Sequence, residues 1–109
     1  MDATETAFLK IAEKHAQFGT TSMTPTTLAG DTEELFQLLD LYEQANKKNV
    51  KGSQFLGMHL EGPYFAMSQK GAQNPLYIRN PDPIEYKEII SRYPFIKRWS
   101  AAPELEGAL

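Results

Sequence analysis

The sequence predicts an α/β chain in which helices alternate with parallel strands, about three βα units in all. Two observations carry this. Three helix-start signals are each followed by apolar residues at helical spacing, and short strand-like apolar runs follow or separate them. An α-β-α-β-α-β order calls for a parallel sheet with helices packed outside it, because parallel neighbours need long crossovers, and right-handed crossovers wind such a sheet toward a barrel or a doubly wound form.

The start signal is an Asp followed three residues later by Glu, as in Asp2 with Glu5, Asp31 with Glu34 and Asp82 with Glu85. Each pair can form a capping box, in which the Asp accepts from a first-turn amide and the Glu reaches back to the cap amide. Pro83 strengthens the third, since its fixed φ and missing N–H suit the first helical position. Phe8, Ile11, Ala12, His15 and Phe18 then line one face of the first helix, which Gly19 closes. Leu35, Leu38, Leu39, Tyr42 and Ala45 line the second, and Ile84, Ile89, Ile90 and Tyr93 the third, before Pro94. Strands are expected over residues 20–24, 54–60 and 95–101.

Composition bounds the rest. With 109 residues and 41% hydrophobic content the chain supports one small domain. The net charge of −3 and the scattered Lys and Arg offer no basic stripe for nucleic acid. No apolar run approaches the roughly 20 residues of a membrane span. Cysteine is absent, which removes disulfides and thiolate chemistry and fits a reducing compartment, so a cytoplasmic protein is the expectation.

The second strand run leads into Glu61-Gly62-Pro63, where an apolar strand ends in a carboxylate and a chain-breaking turn. Strand alternation puts Gly57, His59 and Glu61 on one face and Met58 and Leu60 on the other. A carboxylate at the carboxyl end of a parallel strand is a candidate metal ligand; its ordinary alternative is a loop cap or an ion pair. His59 can be a ligand, a partner supporting Glu61, or a hydrogen-bonded structural residue, of which the last two are favoured. His15 reads as a core or interface histidine. The stretch from about residue 62 to 81 is far longer than the usual βα connection and dense in turn residues, yet carries Tyr64, Phe65, Met67, Leu76, Tyr77 and Ile78 as apolar anchors, so an ordered functional loop is expected. Within it, residues 71–74 can cradle a ligand or form a plain turn. Lys70, Arg79 and Lys97 read as isolated solvent-facing cations. Hydroxyls at Thr24, Thr26 and Thr27 are expected to satisfy backbone groups, and Trp99 to serve packing.

Three strands do not close a barrel, and a parallel sheet is normally covered on both faces. The chain is therefore expected to be an incomplete piece of a larger α/β protein, with exposed sheet edges that favour a homo-oligomer.

Four blocks carry a family resemblance: Leu56 to Tyr64, Lys70 to Pro75, Gly19 to Thr26, and Ala101 to Glu104. In the order in which they run along the chain they resemble the N-acetylglucosamine-6-phosphate deacetylase family of the amidohydrolase superfamily, over nearly the whole chain. The resemblance implies that residues 1–109 are a partial (β/α)8 TIM barrel, roughly its second to fourth βα units. It implies amide hydrolysis that gives glucosamine 6-phosphate and acetate. It further implies Glu61 as a ligand of a divalent metal, zinc or iron, with Ala72 and Gln73 in the loop that contacts the amino-sugar phosphate, and His59 behind Glu61. Gln73 stands where many relatives have His. The remaining metal-binding histidines and the proton-shuttling aspartate have no counterpart here, so no catalytic residue is assigned and the chain alone is expected to be inactive and to hold the metal weakly or not at all. A rival reading is a self-contained, non-catalytic α/β module that binds a sugar phosphate or a partner protein.

Overall fold

The elements follow the order α1 (Glu5–Gln17), β1 (Ser22–Met23), α2 (Thr32–Lys48), β2 (Gln54–Phe55), β3 (Met58–Glu61), α3 (Pro83–Arg92) and β4 (Ile96–Ser100). The structure is a computed structural model and describes residues 3–108. Its residues fall into two units, 3–25 with 32–57 and 26–31 with 58–108.

In the first unit, α1 begins at Thr4, whose hydroxyl accepts from the Ala7 amide at 3.1 Å. The expected cap Asp2 lies outside the described residues. Glu5 pairs with Lys48 at 2.9 Å. The helix ends as a Schellman turn: Gly19 adopts φ +89°, and the amides of Gly19 and Thr20 donate to the carbonyls of Ala16 and His15. Phe8 and Ala12 are buried, whereas His15 and Phe18 are exposed, so the apolar stripe covers only the first two turns and His15 is not a core residue. On α2, Leu39, Tyr42 and Ala45 are buried as the periodicity requires. Phe8, Tyr42 and Phe55 form an aromatic cluster with ring centroids 5.6 to 6.3 Å apart. β1 and β2 run parallel. The turn between α2 and β2 is locked by Asn49, which accepts from the Gly52 amide and donates to the Ser53 carbonyl. Buried Ser53 donates to the Thr20 carbonyl at 2.7 Å.

In the second unit, β3 pairs in parallel with β4 on one side and with Thr26 on the other. Met58 and Leu60 are fully buried with Ile89 of α3, while His59 and Glu61 are partly exposed, as period-two alternation predicts. The apolar run expected as one strand over 54–60 is instead two. Gly57, at φ +143°, interrupts it, and Leu56 beside it is 52% exposed. A residue without a Cβ permits that break, which apolar content alone does not signal.

α3 is capped by Asp82, which accepts from the Ile84 amide at 2.9 Å, with Pro83 at its first position. The expected box is half formed, because Glu85 turns to Arg79. The loop over residues 62–81 is ordered by two short 3-10 turns, Met67–Gln69 and Pro75–Tyr77. Among the described residues no helix is long and apolar enough to cross a membrane.

Candidate functional site

Glu61 is the last residue of β3, opposite Ser100 of β4. Backbone bonds hold this strand end on both sides. The Thr27 amide donates to the His59 carbonyl at 3.0 Å, the Glu61 amide donates to the Thr27 hydroxyl at 3.3 Å, and the Gly62 amide donates to the Ser100 carbonyl at 3.0 Å. Thr27 is buried and its hydroxyl satisfies backbone as expected, whereas the Thr26 hydroxyl turns to the His59 ring. Among the described residues no hydrogen bond or ion pair reaches the Glu61 carboxylate.

His59 occupies both ring nitrogens with hydroxyls: Thr26 Oγ1 lies 3.1 Å from Nδ1 and Ser100 Oγ lies 2.8 Å from Nε2. A hydroxyl can donate or accept, so the ring bridges the segments flanking β3 through both of its nitrogens. Both nitrogens are thus engaged within the strand's own surroundings, one residue away from Leu60 and two from Glu61.

The turn after Glu61 is held tightly. Gly62 adopts φ +74°, and a Cβ there would meet the Phe65 ring at 2.7 Å. Trp99 Nε1 donates to the Gly62 carbonyl at 3.0 Å, and Trp99 stacks on Tyr64 with centroids 5.4 Å apart and planes 19° from parallel. The Tyr64 amide region is fixed by Ala102, which donates to the Tyr64 carbonyl at 2.8 Å. Burial, and then the Glu85 charge, push the Tyr64 phenol well above its ordinary value; among the described residues its hydroxyl has no hydrogen-bond partner.

The loop residues separate into anchored and open ones. Gln73 Oε1 accepts from the Ala29 amide at 3.0 Å, which orients its side-chain amide; Ala72 is exposed. Lys70 is not a solvent-facing cation. Its Nζ donates to the carbonyls of Gly71 and Gln73 at 3.1 and 3.2 Å and closes the turn that presents Gln73. Arg79 departs further from expectation: it forms a two-pronged pair with Glu85, through Nε at 3.1 Å and through a second nitrogen, and donates to the Tyr77 and Gly30 carbonyls. Glu85 raises the Arg79 pKa further, mainly through this hydrogen bonding. The Arg79/Glu85 spacing across Pro81 and Pro83 was the only available sequence signal for this pair, and it does not distinguish an ion pair from a helix cap.

As a metal site the chain is partial. Among the described residues no three His, Cys, Asp or Glu side chains gather to hold an ion. Structural sites use about four protein ligands and catalytic ones about three. Glu61 fits as a single donor only.

No protein-family model matches the chain. It is 34% identical over 110 residues to a protein of Escherichia coli O157:H7 named N-acetylgalactosamine-6-phosphate deacetylase, a match that covers 100% of this chain and 29% of that protein. To the N-acetylglucosamine-6-phosphate deacetylase of Vibrio furnissii it is 30% identical over 110 residues, covering 100% of this chain and 28% of the relative. Among solved structures, the N-acetylglucosamine-6-phosphate deacetylase of Thermotoga maritima aligns with a TM-score of 0.83 at 32% identity, over 98% of this chain and 28% of its own. The corresponding Mycobacterium smegmatis enzyme aligns with a TM-score of 0.85 at 24% identity, over 97% of this chain and 27% of its own, which speaks to fold.

The chain thus has a mixed α/β fold with short parallel strands, one of which ends in a carboxylate. It is homologous over its whole length to the N-acetylglucosamine- and N-acetylgalactosamine-6-phosphate deacetylases, as the four sequence blocks indicate. It spans about three tenths of the length of these curated relatives.

Proposed function

We propose that this chain is a segment of a metal-dependent amino-sugar-6-phosphate deacetylase, built as about three βα units of a (β/α)8 barrel that its own length leaves open. The observation that carries the reading is Glu61. Among the described residues its carboxylate has no partner, and it ends a parallel strand within a stretch homologous throughout to named deacetylases. In such barrels, chemistry concentrates at that end of the strands.

Glu61 supplies one ligand to a divalent ion, zinc or iron, whose remaining ligands come from outside these residues. When bound, such an ion polarises the amide carbonyl and makes a water nucleophilic near neutral pH. Because the donor set here is partial, no step of the reaction is assigned to this chain through the metal. Its own contributions are positional: His59 braces the strand bearing Glu61, Lys70 closes the loop turn, and Gln73 with Ala72 offers contacts to the amino-sugar phosphate. The side-chain amide of Gln73, oriented by Ala29, directs Nε2 as a donor, which suits a ligand oxygen. The absence of cysteine is consistent with a cytoplasmic enzyme. Exposed apolar side chains such as Leu76 (85%) and Ile84 (80%) favour assembly with further protein surface, another copy of the enzyme included.

The test is acetate release from N-acetylglucosamine 6-phosphate and N-acetylgalactosamine 6-phosphate by the intact protein that carries this segment, with its metal content measured in parallel. Both sugars are needed because the relatives are named for both. Glu61→Gln is expected to lower bound metal and to reduce turnover by roughly a hundredfold or more, since it replaces a charged donor by a neutral one. Full metal content and turnover in that variant would refute the assignment.

A further inference from the structure

We propose that Arg79 is a positioning residue for the Glu61 turn, acting from the far end of the loop without touching metal or substrate. The consequence for catalysis rests on the reading of Glu61 given above; the mechanical role does not.

The Arg79 amide donates to the Pro63 carbonyl at 3.3 Å, two residues after Glu61, and thereby returns the loop to the turn it left. Its guanidinium reaches the Tyr77 carbonyl at 3.0 Å and the Gly30 carbonyl at a long 3.4 Å, so one side chain joins the loop to the segment that flanks β3. Glu85 anchors the fork from α3, with its side chain 11% exposed. Tyr64, the residue after Pro63, stacks on Trp99, whose indole N–H holds the Gly62 carbonyl. Arg79 is therefore tied through its backbone to Pro63, which directly follows the Gly62 carbonyl held by Trp99, while its guanidinium fixes the end of the loop that makes this tie. Only a planar group with several fixed donors serves Glu85 in two prongs and two carbonyls together, which a lysine ammonium does not reproduce.

Trp99 is the single tryptophan, so its indole N–H gives one resolvable signal that reports on the Gly62 bond directly. The experiment compares wild type, Arg79→Lys and Arg79→Met in the 109-residue chain by hydrogen exchange at that indole. Ile89→Val serves as a control that weakens the core of the same unit without touching the staple. Both Arg79 variants are expected to speed indole exchange by about tenfold or more relative to a control of equal global stability. In the intact protein, Arg79→Lys is expected to lower kcat and metal content with little change in KM. Unchanged indole exchange in both variants, or full kcat and metal content in Arg79→Lys, would overturn the proposal. An accelerated indole in a protein whose wild type releases no acetate would uphold the positioning role and sink the deacetylase reading.

Discussion

Gly62→Ala tests the physics of the acidic turn most directly, because two separable costs fall on one methyl group. Gly62 sits at φ +74°, where an L side chain costs about 1–2 kcal/mol. The new Cβ would also meet Phe65 ring carbons at 2.7 and 2.9 Å, and pushing that partly exposed ring aside adds about 1–2 kcal/mol of overpacking. Replacing Gly by Ala reduces the freedom of the unfolded chain, which offsets about 0.4–1 kcal/mol. The net expected loss is about 1–3.5 kcal/mol. Gly71→Ala in the same unit is the reference, since Gly71 has φ +58° and open space within 4 Å of its Cβ position, leaving strain alone and a net loss of about 0.5–1 kcal/mol. Urea unfolding followed by Trp99 fluorescence reads both, Trp99 being bonded to the Gly62 carbonyl itself. Equal midpoints for the two variants would show that Phe65 yields without cost, and the argument from close approach would fail.

Stability should also fall in alkali. Burial pushes Tyr42 up to about 12, and raises Tyr64 further with the help of Glu85. Above the ordinary phenol value near 10 the unfolded chain releases protons that the fold retains, so the folded state binds more protons and loses stability as pH rises. The loss should reach about 1.4 kcal/mol per pH unit for each tyrosine in that window; denaturant midpoints that stay constant from about pH 8 to about pH 11 would contradict it. The isolated 109-residue chain should show no deacetylase turnover and only weak zinc binding in calorimetry, because one carboxylate does not make a site of three or four ligands. Measurable acetate release from the purified chain would overturn that.

Much of the plan is legible in local pattern. The helical stripes ending in Leu39, Tyr42 and Ala45, the Asp82-Pro83 cap and the Gly19 stop all appear where spacing and capping chemistry place them, since each depends on groups within a turn or two of one another. Alternation likewise sends Met58 and Leu60 inward and leaves His59 and Glu61 on the other face. The core reading of His15 misled because the apolar stripe continues past Ala12, the last buried position of the helix. The run over 54–60 misled because apolar content does not reveal that Gly57 turns the backbone between two short strands.

The site divides in the same way. Glu61, the Gly-Pro turn and the Lys70–Pro75 block stand out in the sequence because a short motif holds the residue types together, and homology over the whole length bears out the family they point to. The fates of Arg79, Glu85 and Gln73 were settled only in three dimensions. Glu85 has the spacing of a helix cap and the same charge would serve there; a guanidinium brought alongside by the return of the loop competes for it with two prongs, while the cap amide offers one. Gln73 meets the Ala29 amide across a separation of 44 positions, and His59 finds its two hydroxyls at separations of 33 and 41. Sequence alone determined which segments coil, which extend and where an acid ends a strand, because those preferences act over a few residues. Which polar groups satisfy one another around that acid was decided by chain return, which brings distant donors and acceptors within about 3 Å and leaves no trace in local spacing.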